Sequence, residues 1–310
     1  MKGGMKMLNW VQRYLTYRRS LGYALRAEGQ LLLDFGEYAD SIGHRGALTL
    51  ELALRWARLP AHVDPGYWAR RLQAVRCLAK YVALFEPQTM VPSPRILGRA
   101  FVRKVPHIYS ADELAQLLSG ARKLAPSGSL RPHTYFTLIG LLACTGMRLG
   151  EALRLRVDDV DLQTGTITVR HSKFHEMRLL PLHSTTVEQL ARYHRQQHAC
   201  FPDAKTFFVS LRGTGLTTVT VEETFRSLAA GIKCRGSRPR PRLIDLRHSF
   251  SCQVLLKWSH RQQDIDHHIL LLMHYLGHKK IRHTYWYLTG VPELFSQAAA
   301  TFESRSSILS

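Results

Sequence analysis

Five side chains spread along the chain could together do chemistry on a phosphodiester: Arg148, Lys173, Arg247, His278 and Tyr287. A phenolate that attacks phosphorus forms a phosphotyrosine link, which stores the energy of the broken bond for resealing. The reaction needs cations on the phosphate and a proton donor for the departing sugar oxygen. Arginine suits the first task, because its planar fork donates two hydrogen bonds to a phosphate. Lysine, a flexible point charge, suits the second. No metal is required.

The surroundings of each residue supply positioning. In Thr145-Gly146-Met147-Arg148-Leu149-Gly150-Glu151 a helix should stop at glycine and a new one begin, with an arginine in the turn. That sets a guanidinium beside a helix N-terminus, where anions are favoured, and Glu151 can brace it from behind. Lys173 falls at the tip of a predicted hairpin. Ile244-Asp245-Leu246-Arg247-His248-Ser249-Phe250 follows a basic run holding Lys233, Arg235, Arg238, Arg240 and Arg242, read as DNA-binding. In Leu276-Gly277-His278 a helix ending at glycine would expose the histidine. Taken singly, each has a plainer reading: a capping arginine, a turn lysine, a solvated basic loop, a helix-end histidine, a core tyrosine. The case rests on their combination.

Composition narrows the partner. Lys and Arg number 43 against 23 Asp and Glu, a formal charge of +20 over 310 residues. So large and dispersed an excess favours a polyanion, and nucleic acid ahead of a membrane surface, since no basic amphipathic anchor stands out. The apolar stretches are too short to span a bilayer. No secretory signal is expected. Five scattered cysteines without a CxxC pair predict reduced thiols, with neither a zinc ribbon nor a disulfide framework. A cytoplasmic, nucleoid-associated location follows as an expectation.

The elements that must position these groups fall into two domains. Residues 1–86 show helical apolar spacing at Leu8, Val11, Tyr14 and Leu15, and at Leu31, Leu32, Phe35 and Tyr38. Further helices fit Leu50–Ala57 and Tyr67–Leu84, which makes a small bundle. Residues 87–108, with four prolines and several basic residues, read as an extended linker. Residues 109–310 form the second domain. Ser110-Ala-Asp-Glu-Leu predicts a capped helix. Pro132–Cys144 is an apolar helix, and Gly150–Leu155 starts another. Gly165–Leu182 predicts a β-hairpin turning near Ser172–Glu176. The fold class is mainly α with a small β-hairpin or sheet.

With these motifs in order, the second domain resembles the tyrosine recombinases, the phage-integrase family. ACTGMRLGEALRL is similar to the family's first arginine motif, IDLRHSF to its second, and LGHKKIRHTYWYL to its last. The resemblance implies that Arg148 and Arg247 bind the scissile phosphate, that Lys173 is the hairpin lysine, that His278 assists and that Tyr287 is the nucleophile. The nine-residue interval from His278 selects Tyr287 over Tyr285. It further implies a helical core-binding domain, a C-shaped clamp on double-stranded DNA, a homotetramer on two DNA sites, accessory recombinases as possible partners, and no cofactor.

One position departs from the family. A histidine usually stands three residues before the second arginine, where this chain has Ile244, which can neither transfer a proton nor donate to phosphate. His248 reads as an inward-facing structural residue. Ile244 keeps open a degenerate DNA-binding partner of an active recombinase. A type IB topoisomerase-like relaxase is the other alternative. Metal readings are weaker: His274 and His278 lack the glutamate of a metalloprotease helix. Asp266-His267-His268 reads as a solvated face, and Asp159 and Asp161 as structural residues of the turn and strand after the arginine helix.

Overall fold

The computed structural model describes residues 5–100, 105–170, 177–232, 240–260, 265–278, 280–281 and 284, with backbone alone for 265–267. The chain divides into two compact units, Met1–Arg103 and Lys104–Ser310.

Among the described residues the first unit holds four helices, α1 (Met7–Ser20), α2 (Arg26–Ser41), α3 (Leu50–Arg58) and α4 (Pro65–Val82). The starts of α3 and α4 are written locally. Thr49 Oγ1 accepts the Leu52 N–H at 3.2 Å, and Asp64 Oδ1 accepts that of Gly66 at 2.7 Å, with Pro65 in the first turn. The core gathers Met7, Trp10, Val11, Leu15, Leu32, Phe35, Trp56, Val75 and Leu78. Gly36 lets α1 and α2 cross closely, since a Cβ there would lie 2.9 Å from Leu8 Cα. Arg71 lies 3.6 Å over the Trp56 ring and donates to the Trp56 carbonyl at 2.9 Å. Part of the segment read as linker packs on this unit. The Met90 N–H reaches the Leu48 carbonyl at 2.8 Å, Arg76 Nε donates to the Pro92 carbonyl at 2.8 Å, and Leu97 packs on the core.

In the second unit, α5 (Ala111–Arg122) opens with a complete capping box between Ser110 and Glu113. The apolar α6 (Leu130–Thr145) runs through the core against α5 and against two later helices, Ser184–Cys200 and Ile244–His260. It stops at Gly146, whose φ of 60° is left-handed, and a Cβ there would come 2.5 Å from Phe250. The expected helix at Gly150–Leu155 is one turn only, α7 (Leu149–Ala152). Beyond it Arg156 turns extended and caps a 3-10 turn through Asp159. Asp159 also pairs with Arg170.

The hairpin is part of a three-stranded antiparallel sheet in the order β1 (Val160–Asp161), β2 (Thr166–Val169), β3 (Arg178–Pro181). Thr166 pairs with Pro181 and Val169 with Arg178. Ile167, Val169 and Leu180 are buried, which fixes the register by burial of one face. The hairpin tip, with Lys173, lies outside the described residues. Among the described residues, helices α8 (Ser184–Cys200), α9 (Thr218–Ala229), α10 (Ile244–His260) and α11 (Ile265–Leu276) follow. Among the described residues no helix is long and apolar enough to cross a membrane.

Candidate active site

The site assembles where α6, α10 and α11 end or begin. Helix termini expose backbone groups that lack a partner inside the helix, and a C-terminus favours cations. The sequence has left three arginines to meet them.

Arg247, on the first turn of α10, is almost fully buried. Its Nη1 donates to the Gly146 carbonyl at the end of α6 at 2.7 Å, and its Nη2 to the Leu276 carbonyl at the end of α11 at 2.7 Å. Two helix C-termini therefore hold this buried charge. Arg247 Nη2 also lies 2.9 Å from His278 Nε2. A guanidinium only donates, so Nε2 is the accepting nitrogen of a neutral ring. His278 Nδ1 then carries the proton and donates to Thr284 Oγ1 at 2.9 Å. Thr284 is fully buried and fixes the ring. Gly277, with φ of 66°, ends α11 and turns His278 toward Arg247.

Arg148 stands between Gly146 and α7. Its backbone N–H donates to Glu151 Oε2 at 2.9 Å, its Nη1 to Glu151 Oε1 at 2.7 Å, and its Nη2 to the Gly277 carbonyl at 2.8 Å. Its side chain stays 32% exposed. The brace expected from Glu151 is present, with an addition the local sequence did not announce. Arg178 of β3 grips the same carboxylate, Nη2 to Oε2 at 2.7 Å and Nη1 to Oε1 at 3.2 Å, and its Nε donates to the Tyr275 carbonyl at 2.9 Å. Burial alone would raise the Glu151 pKa. The hydrogen bonds and charges of Arg178, and then of Arg148, outweigh it and hold the group down to about 2.

Three successive carbonyls, those of Tyr275, Leu276 and Gly277, thus receive Arg178, Arg247 and Arg148. Burial, with Cys144 adding to it and Arg178 and Arg247 opposing, pushes the Tyr275 hydroxyl up to about 12. Its ring stacks on Phe250 at 5.7 Å, so it is a packing residue and not a phenolate source.

Ile244 begins α10 and is 44% exposed. With Arg247, Met147 and Glu222 it lines a cleft of about 110 Å³. His248 is half-buried. Arg242 Nε and Nη2 bind Asp245 at 3.0 and 2.7 Å and lock the start of α10, while its side chain stays 38% exposed. Its carbonyl accepts the Tyr109 hydroxyl at 3.0 Å. Arg240 is exposed. Lys233, Arg235, Arg238, Lys173 and Tyr287 lie outside the described residues. Among the described residues no three His, Cys, Asp or Glu side chains gather to hold a metal ion.

A mainly helical unit with a small meander, whose arginines and histidine meet at helix ends, has the fold of the DNA integrases. The Tn1549 transposon integrase in complex with transposon right-end DNA superposes over 97% of this chain and 99% of its own with a TM-score of 0.69 at 16% identity. A lambda integrase tetramer bound to a Holliday junction covers 92% of this chain and 77% of its own, with a TM-score of 0.60 at 18% identity. In sequence, the integrase/recombinase y4rB of Sinorhizobium fredii is 38% identical over 303 residues, 95% of this chain and 96% of its own length. The profile of the phage integrase family matches residues 109–291. The chain belongs to this family, the tyrosine recombinases.

Proposed function

We propose that the protein is a site-specific DNA recombinase that cleaves and rejoins DNA through a 3′-phosphotyrosine intermediate, serving integration, excision or transposition of a mobile element. The observation that carries this reading is the cluster of Arg148, Arg247 and His278 at the end of α11. These groups are far apart in sequence, and a phosphate is the natural ligand of two guanidiniums that share one site.

Arg148 and Arg247 hold the scissile phosphate and stabilise the charge of its pentavalent transition state. Tyr287 attacks phosphorus, and the bond to the 5′ oxygen breaks. Lys173 protonates that oxygen, and His278 assists by hydrogen bonding or proton transfer. The 5′ hydroxyl of a partner strand then attacks the phosphotyrosine, reseals DNA and frees the enzyme. The formal charge of +20 supports strong phosphate-dominated binding. Residues 1–86 act as a core-binding domain and residues 109–310, reached through 87–108, as the catalytic domain. Four protomers assemble on two duplexes, in keeping with the integrase tetramer of like fold.

A second reading rests on Ile244. The exposed isoleucine beside Arg247 removes a hydrogen-bonding group from the cleft, as a catalytically degenerate DNA-binding partner would. The two readings separate on nicked suicide duplexes, selected from a random-sequence pool by binding to the full chain. A covalent adduct on a denaturing gel with wild type, absent in Tyr287→Phe, supports the enzyme. An adduct only in Ile244→His supports the degenerate partner. Tight binding with no adduct in any variant overturns the catalytic assignment.

A further inference from the structure

Arg178 lies on β3, the strand that returns from the hairpin, and its side chain is only 13% exposed. Three of its N–H groups are spoken for: two by the oxygens of Glu151 and one by the Tyr275 carbonyl. Alternation along β3 puts Arg178 on the face of buried Leu180, opposite exposed Met177 and Leu179, but names no partner for it. The guanidinium lies against Glu151 and the end of α11. A Cβ on Gly277 would lie 3.0 Å from Arg178 Nη1 and 3.5 Å from Arg148 Nη1, so both guanidiniums press on the same glycine.

We propose that Arg178 is a positioning residue for strand cleavage: it divides Glu151 with Arg148 and pins the last turn of α11, so that Arg148 and His278 meet the scissile phosphate in a fixed geometry. The assignment rests on the function proposed above. Glu151 has two oxygens, and a lone Arg148 guanidinium could take both in a fork–fork pair. That would turn its donors onto the carboxylate and away from phosphate. Arg178 occupies both oxygens from the other side, and Arg148 keeps one side-chain bond to Oε1 and one to the Gly277 carbonyl. The Tyr275 carbonyl, held by Arg178, precedes the carbonyls that seat Arg247 and Arg148, and His278 follows. Because β3 also leads out of the hairpin that carries Lys173, one guanidinium ties the strand next to that lysine to the segment that presents His278.

A lysine at 178 would keep the charge beside Glu151 but not the fork or the third bond. The test uses the full chain and the nicked duplexes selected by binding. Single-turnover adduct formation and duplex affinity are measured separately. Arg178→Lys is expected to fold, to bind the duplex like wild type, and to form adduct ~10²-fold more slowly, the cost of a small misplacement of reacting groups. Arg178→Ala leaves Glu151 buried with half its partners, so the double variant Arg178→Ala with Glu151→Gln is the second arm, which removes the charge with its counter-charge. It is expected to fold and to remain slow. A wild-type adduct rate in either variant overturns the assignment. So does a loss of rate matched by an equal loss of duplex affinity, which would mark a merely structural residue. No adduct with wild type instead overturns the recombinase reading, and the assignment with it.

Discussion

Replacing Glu151 with glutamine tests the electrostatic base of the site. The carboxylate is 1% exposed and meets two guanidiniums and a backbone N–H. Glutamine keeps one accepting oxygen and presents an amide donor to a guanidinium in place of the other. The folded pKa of about 2 stands below the ordinary unfolded value, so the charged form stabilises the fold above the unfolded pKa, and that stability is lost as pH falls toward 2. With an unfolded value near 4.3, the linkage gives about 3 kcal/mol at pH 7 and about 1.4 kcal/mol at pH 3. Breaking a buried ion pair from one side costs about 3–5 kcal/mol, which agrees in size. Urea unfolding of wild type and Glu151→Gln, read by hydrogen-exchange mass spectrometry on peptides from 130–200, isolates the second unit. We expect a gap of about 3 kcal/mol from pH 8 to 6 that narrows by about half at pH 3. A gap below about 0.5 kcal/mol at pH 7, the range of an ordinary surface substitution, would refute the reasoning. So would a gap that does not change with pH.

Other substitutions probe separate links. Gly146→Ala puts a Cβ 2.5 Å from Phe250 at a left-handed φ, and should lower the stability of the second unit by about 1–3 kcal/mol in chemical denaturation. Ile244→His restores a hydrogen-bonding group beside Arg247 and should speed adduct formation by up to ~10²-fold in single-turnover assays, the low end of a general acid–base contribution. An unchanged rate would show that the other cations already carry the step. Duplex affinity should fall at least ~10³-fold between 50 and 200 mM salt if six or more phosphates are contacted, as titrations at several salt concentrations would read.

What was legible in the sequence was local. Gly146 and Gly277 end their helices because glycine alone takes a left-handed φ cheaply, and that can be read from one residue. Ser110 with Glu113, and Arg148 with Glu151, are caps written within three residues. At the start of the second arginine motif Asp245 accepts the Arg242 N–H, three residues away. Asp245 also takes the Arg242 side chain, a pairing that the basic run did not announce. Arg178 was not legible. Its partners lie 27 and 97 residues away, and β-strand alternation says only which face it takes. The packing of residues 89–97 on the first unit was hidden for a related reason, because proline-rich composition marks extended backbone without saying what it lies on.

The central claim is that Tyr287 carries the covalent bond to DNA. Its most direct test is mass spectrometry of the trapped adduct after nuclease and trypsin digestion. The peptide His283–Arg305 holds both Tyr285 and Tyr287, and fragmentation separates them. The account predicts a nucleotide remnant linked through its 3′ phosphate to Tyr287, with Tyr285 unmodified. A remnant on Tyr285, on a serine, or linked through a 5′ phosphate would contradict it.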